Sequence, residues 1–226
     1  MYIRLRNQAI RLVATLVLRI LPESKSIAMM IDCDLLLCWG AIHRKVIKGQ
    51  AIFYEGDNAL FYYQVVRGRV KMVNTNEEGK EFIQGFFGDG DAFGEPPLFD
   101  GNGYPATAIA EEDTILIRLR KDNFLQLLKD NFEIHFAFTQ LLASRLRFKS
   151  ILSKELSCHG PEPRITTLIH LFKHASNVPD HMRYKVNLTR QQIADMTGLR
   201  VETVIRVIRV LYGKGRVLLE KGKIYV

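Results

Sequence analysis

From residue 51 to residue 119 the chain breaks into short β-type runs, each closed by a turn, and at Asp122 that texture gives way to a helical period. The runs cover 51–54, 61–66, 69–73, 81–87, 106–110 and 114–119, punctuated by Glu55-Gly56-Asp57, Arg67-Gly68, a polar turn ending at Gly79, and Gly88-Asp89-Gly90-Asp91. Short strands at such regular spacing, separated by glycines, predict an antiparallel barrel or sandwich. Asp122 reads as an N-cap, followed by a short helix to Leu128 and a long one from about Phe132 to Leu156. The result is an α+β chain of 226 residues, long enough to bury a real core and to divide into two small domains.

On the long helix Ile134, Phe138, Leu141, Phe148 and Leu152 recur at spacings of 4, 3, 7 and 4, with Arg145 filling the position between Leu141 and Phe148. Apolar residues in this heptad-like rhythm form a seam that can bury against its own domain or against the same helix of a second copy. The helix is long and lies between two domains, so a second copy of the chain is the expected partner and these six residues the expected dimer seam. Cys158-His159-Gly160-Pro161-Glu162-Pro163 ends the helix, because two prolines and a glycine cannot continue it. Beyond this hinge a helix over 163–175, a polar loop over 177–182 and a short strand over 184–187 are expected. Upstream, Ile10, Val13, Val17 and Ile20 predict an amphipathic helix over 8–21, packed on the protein's own core or preceding a true start at Met29 or Met30, rather than anchored on a membrane. The apolar stretch 12–21 contains Arg19 and falls short of the ~20 residues of a membrane crossing; with no small-residue cleavage site, neither a span nor a signal peptide is expected.

Thr189-Arg190-Gln191-Gln192 matches a capping box, in which the Thr189 hydroxyl takes the Gln192 amide and the Gln192 side chain reaches back to the Thr189 amide. The helix so opened runs only to about Met196, because Thr197-Gly198 supplies a turn, and a second helix continues from Arg200 or Val201 to Tyr212. Small Ala194 sits where the two helices approach, and Val204, Val207, Ile208 and Leu211 line one side of the second: a helix-turn-helix signature. Glu202 and Arg206, four apart, share the opposite side near its start. A guanidinium can donate twice to guanine O6 and N7, and a carboxylate can accept from cytosine N4; the plainer alternative is a solvated ion pair. After that helix, 215–220, Lys221-Gly222-Lys223 and 224–226 predict a hairpin with a basic tip, a wing whose Lys221 and Lys223 meet phosphates.

Charge divides along the same line. The formal net charge is +8, yet residues 30–122 hold ten Lys/Arg against fifteen Asp/Glu, whereas 159–226 hold twelve against five. The basic excess lies at the helix-turn-helix end, the expected contact for a polyanion.

Several motifs agree in order with one family: Tyr54-Glu55-Gly56-Asp57, Val66-Arg67-Gly68-Arg69-Val70, Glu78-Gly79-Lys80-Glu81, Gly90-Asp91-Ala92-Phe93-Gly94-Glu95, Leu98-Phe99, and Leu188-Thr189-Arg190-Gln191-Gln192-Ile193-Ala194 through Val201-Glu202-Thr203. Over residues 40–226 the chain resembles the CRP/FNR family of transcription regulators. The resemblance implies an N-terminal antiparallel β jelly-roll sensor domain of the cyclic-nucleotide-binding type, a long dimerisation helix, and a C-terminal winged helix-turn-helix that binds palindromic double-stranded DNA as a homodimer. It implies that Glu202 and Arg206 read a G·C pair. Val201, just before them, is similar to the FNR branch, which points to a TTGA-type half-site. Thr189, Arg190, Gln191, Arg200 and Thr203 join Lys221 and Lys223 as expected phosphate contacts. The expected division is an extension over 1–29, the β domain over 30–122, the dimerisation helix over 123–157 and the DNA-binding domain over 158–226. RNA polymerase, a small-molecule effector and a cytoplasmic location complete what such a regulator implies.

Cyclic-nucleotide sites of this family use a Gly-Glu pair, whose Glu holds the ribose, and an Arg-Ser or Arg-Ala pair about ten residues later that holds the phosphate. Gly94-Glu95 is present, but Pro105-Ala106 stands where the second pair belongs, and proline offers neither a charge nor an amide proton. Lys149-Ser150 aligns with the family's adenine-contacting Thr-Ser pair, and Lys149 is read as a solvated or interfacial lysine in a position to replace the missing charge. These six residues form the expected effector pocket, cyclic AMP is not its expected occupant, and an unidentified ligand or effector-independent binding is favoured. Cys33, Cys38 and Cys158 lack the spacing and the fourth ligand of an iron–sulfur cluster, so buried thiols are expected. His170 and His174 lack a third metal ligand, and nothing marks His43, His135 or His159 for haem. No G-x-S-x-G, H-E-x-x-H or P-loop occurs, and no enzyme is expected. A cyclic-nucleotide-binding module acting on a protein partner is the alternative; it leaves the helix-turn-helix, the wing and the basic end without a role.

Overall fold

The computed structural model describes residues 30–176, 178–179 and 181–226; the helix expected over 8–21 lies outside the described residues. A short helix, α1 (Cys33–Cys38), is capped by Asp32, whose side chain accepts from the Leu35 amide at 3.0 Å. Eight strands follow: β1 (Ile42–Val46), β2 (Ala51–Phe53), β3 (Phe61–Arg67), β4 (Val70–Thr75), β5 (Glu81–Phe87), β6 (Ala92–Phe93), β7 (Thr107–Ala110) and β8 (Thr114–Arg120), with helix α2 (Pro96–Asp100) between β6 and β7. They pair antiparallel into two four-stranded sheets, ordered β1-β8-β3-β6 and β2-β7-β4-β5, the antiparallel sandwich that the runs predict and the jelly roll that the resemblance implies.

Aromatic side chains fill the roll: Phe53 stacks on Tyr104 with ring centroids 3.6 Å apart, and Phe93 packs between Tyr63 and Phe87. A buried amide on β3 ties down the segment before α1. Gln64 accepts from the Ile31 amide at 3.0 Å and from the Tyr62 hydroxyl at 2.7 Å, and donates to the Ile31 carbonyl at 2.8 Å, so no polar atom of that side chain is left without a partner.

Four of these elements were not anticipated. β1 reads Ile-His-Arg-Lys-Val and is an edge strand largely open to solvent, so its alternation is masked by charge. β6 is two residues long, and α1 and α2 are too short to show a helical period. Asp122 is also not the N-cap. The helix α3 (Lys121–Asp130) begins one residue earlier with Arg120 at its cap, and Asp122 lies in the first turn, where its charge still favours the helix N-terminus.

Helix α4 (Phe132–Cys158) is 27 residues, about 40 Å, and spans two hydrophobic cores. Phe138 is fully buried between Phe124 and Tyr62 of the sensor, with Ile134, Leu141 and Leu142 packed on the same cluster. Fourteen residues on, Leu152 is buried in the C-terminal core, and Phe148 meets Phe172 edge-on. Of the seam expected to meet a second subunit, Phe138 and Leu152 are buried within the chain, Ile134, Leu141 and Phe148 are half-buried against its own domains, and Arg145 turns into the sensor. Their periodicity is that of a buried face, and periodicity alone does not name what buries it.

The C-terminal domain comprises α5 (Pro161–Ala175), α6 (Arg190–Thr197), α7 (Val201–Gly213), β9 (Leu218–Glu220) and β10 (Lys223–Tyr225). Pro161 ends nothing here: it occupies the first turn of α5, where its missing amide proton costs no hydrogen bond. The strand expected over 184–187 is a single bridge, Lys185 against Tyr225, extended by hydrogen bonds from Tyr184 to Val226 and from Val186 to Ile224.

Candidate nucleic-acid interface and sensor pocket

The capping box forms as its sequence requires. Thr189 Oγ1 accepts from the Gln192 amide at 3.1 Å, and Gln192 Oε1 accepts from the Thr189 amide at 2.9 Å. Gly198, in the left-handed region at φ +66°, ends α6 and turns the chain into α7. Val204, Val207, Ile208 and Leu211 are the buried stripe of α7. Glu202 and Arg206 are exposed on its other side, and neither makes a hydrogen bond or ion pair with another described residue. With Ile205, Arg209 and Val210 they line a shallow depression of about 520 Å³. Sequence reasoning missed Arg209, although its spacing of three from Arg206 places both guanidinium groups on one face. Val201, half-buried, opens the helix after the exposed Arg200, with Thr203 also half-buried.

The wing is a two-residue hairpin pairing Glu220 with Lys223. Its loop, Lys221-Gly222, has positive φ at both positions, 44° and 75°, which a primed turn demands. Lys221 is the one described non-glycine residue with positive φ, a conformation that costs an L side chain roughly 1–2 kcal/mol. Lys221 and Lys223 project from the exposed tip. Arg190 and Gln191 are not free: Arg190 Nη1 donates to the Gly222 carbonyl, bracing the wing against α6, and Gln191 Nε2 donates to Asp195 at 2.8 Å.

In the sensor, Gly94 adopts φ +72°, and a Cβ there would lie 2.8 Å from the Phe53 ring, so only glycine fits beside the aromatic stack. Glu95 is 2% exposed and paired with Arg145 Nη1 at 2.5 Å, while Arg145 Nη2 donates to the Ala92 carbonyl at 2.7 Å. Burial pushes the Glu95 carboxyl above its ordinary value, and the Arg145 charge opposes that rise. Pro105 is exposed and Ala106 buried; the Pro105 carbonyl accepts from Asn74 Nδ2 at 2.7 Å, Asn74 Oδ1 accepts from Gln84 at 2.8 Å, and Lys149 Nζ donates to the Gln84 side chain. Burial, then the Arg145 charge, lowers the Lys149 ammonium below its ordinary value. Lys149 is exposed and interfacial, linking α4 to β5 through Gln84, and Ser150 is exposed. One expectation needs correcting here: Cys38 and Cys158 are exposed, not buried, and Cys33 is half-buried. Among the described residues no group of His, Cys, Asp and Glu is arranged to hold a metal ion.

The model of the cyclic nucleotide-binding domain matches residues 43–131, and that of the Crp-like helix-turn-helix domain matches residues 164–226. The cAMP-activated global transcriptional regulator CRP of Haemophilus influenzae is 34% identical over 185 residues, covering 79% of this chain and 82% of the relative. The chain belongs to the CRP/FNR family. It is a transcription regulator with a helix-turn-helix DNA-binding domain, and its relatives of that family are regulators of the same kind. Solved CRP/FNR-type structures share the fold: FixK2 from Bradyrhizobium japonicum matches with a TM-score of 0.67 at 22% identity, over 82% of this chain and 91% of that one. The c-di-GMP responsive regulator CLP of Xanthomonas campestris matches with a TM-score of 0.65 at 20% identity, over 84% and 96%. Within the CRP/FNR frame, Arg145 and Lys149 are the sensor residues that sequence reasoning misplaced or under-read, because their partners lie 50 and 65 residues away. No described helix is long and apolar enough to cross a membrane.

Proposed function

We propose that this CRP/FNR-family regulator is a cytoplasmic homodimer that reads two-fold symmetric DNA through Glu202 and Arg206 of α7, with phosphate contacts from Thr189, Arg200, Thr203, Lys221 and Lys223. The observation that carries the reading is the state of α7: its charged side chains are exposed and make no bond with another described residue, beside an exposed basic wing tip. Arg190 contributes by fixing the wing, and Arg209 joins the reading face.

The second copy docks on the outward face of α4. Phe132, Phe136, Thr139, Ala143, Leu146 and Ser150 follow one another at spacings of 4, 3, 4, 3 and 4, and all are exposed, Phe132 and Leu146 at 72%. This heptad runs two positions ahead of the buried one and places Ser150 at the seam. Paired helices then set the two copies of α7 about one DNA turn, ~34 Å, apart. As to the effector, the polar groups around Pro105 bond one another and Arg145 occupies Glu95, which argues against cyclic AMP in its usual pose. Calorimetry with cyclic AMP should give no tight binding; tight binding that strengthens DNA affinity would refute this part.

Selection of binding sites from random DNA tests the whole. The chain should enrich a palindrome with a TTGA-type half-site, and Arg206→Ala should lose ~1–3 kcal/mol at the G·C position while relaxing specificity there. Equal losses on selected and random duplexes would contradict base reading.

A further inference from the structure

Gln192 closes the capping box of α6 with its side-chain oxygen, and its side-chain nitrogen reaches out of the DNA-binding domain. That nitrogen donates to both carboxylate oxygens of Glu111, at 3.1 and 3.4 Å, in the turn that follows β7 of the sensor. Glu111 is held for this contact. Arg69 Nε lies 3.4 Å from its Oε2, the Arg69 guanidinium rests 4.3 Å from the centre of the Phe86 ring, and the Glu111 amide donates to the Arg69 carbonyl at 2.8 Å. Phe86, with Val73, Ile83 and Ile109, belongs to the apolar cluster that also holds Ile193 and Ala194 of α6. The start of α6 is thus docked on β5, with an oriented carboxylate beside it.

The same turn of α6 carries Thr189, Arg190 and Gln191, where a DNA phosphate is expected. A helix N-terminus favours one anion there, and the Glu111 carboxylate, whose charge Arg69 offsets through a single contact at 3.4 Å, disfavours a second. Glu111 belongs to a domain with fifteen acidic against ten basic residues over 30–122, a net charge of the same sign as DNA.

We infer that Glu111 is an internal competitor of DNA for the N-terminal end of α6, an autoinhibitory latch that must open before the helix-turn-helix binds with full affinity. The inference rests on the reading of α6 and α7 as the DNA interface.

The test is Glu111→Ala in the full chain, without added effector, titrated by fluorescence anisotropy against the duplex that the wild-type chain selects from random DNA, at matched salt. The variant should bind on the order of tenfold tighter, and amide exchange at Ile193 and Ala194 should quicken. Glu111→Gln, which keeps an acceptor for Gln192 and removes the charge, should give a smaller gain in the same direction; if the alanine variant does not fold, this one decides alone. Unchanged or weaker DNA binding by a variant whose wild type binds overturns the latch, whatever the exchange shows. If neither wild type nor variant selects any duplex, the DNA-binding reading itself fails and the latch with it.

Discussion

Glu95 and Arg145 show what a single pair can do when water is excluded. An acid whose pKa is raised by burial holds more protons folded than unfolded in the window between its unfolded and folded values. Folding stability therefore rises as pH falls through that window, and the gain is complete below the unfolded value, 4.5 for Glu95. The difference in unfolding free energy between wild type and Glu95→Gln should grow more favourable to wild type from pH 7 down to about 4.5, measured by urea titration at each pH. A difference flat across that range would contradict the raised pKa. Residues whose partners are close in sequence were legible: the Thr189–Gln192 box and the Lys221-Gly222 turn follow from four- and two-residue patterns. Glu95 was marked by its motif, but its partner was not, because an arginine 50 residues away on a helix carries no local sign of where it points.

At the scale of the element, α4 carries two interleaved heptads, and the sequence makes the inward-facing one conspicuous. The richer set, with Phe138 and Leu152, supplies the cores of both domains; the poorer set, with Phe132, Phe136 and Leu146, remains outside. A chain needs its most apolar stripe to fold before it can associate, so the strongest periodicity goes inward. The two stripes give separable results. Phe138→Ala should cost about 3–5 kcal/mol of folding stability through the cavity left beside Phe124 and Tyr62. Leu146→Glu should leave thermal unfolding of the domains nearly unchanged and shift the chain from dimer to monomer in sedimentation velocity. A dimer that survives Leu146→Glu would move the interface elsewhere. The strands of the roll were legible from length and glycine punctuation, except where charge covered the pattern in β1 or two residues offered none in β6.

Across the whole molecule, the acidic sensor and the basic C-terminal domain were visible from composition by region, and so was the order of the domains. Their docking was not, since Glu111 and Gln192 are 81 residues apart and each has an ordinary local role. The charge division has a measurable consequence. The logarithm of DNA affinity should fall linearly with the logarithm of salt concentration, and replacing Lys221 or Lys223 by Ala should reduce the slope by about one each while leaving sequence preference intact. A slope unchanged by both replacements would remove the wing tip from the interface.

Strand β5 lies at the centre of this arrangement. Gln84 joins the polar network that reaches Lys149, and Ile83, the residue before it, is buried in the cluster that holds α6. The two environments are consecutive in the chain, on opposite faces of one strand. A change in what Gln84 bonds is therefore made one residue away from the packing that seats α6.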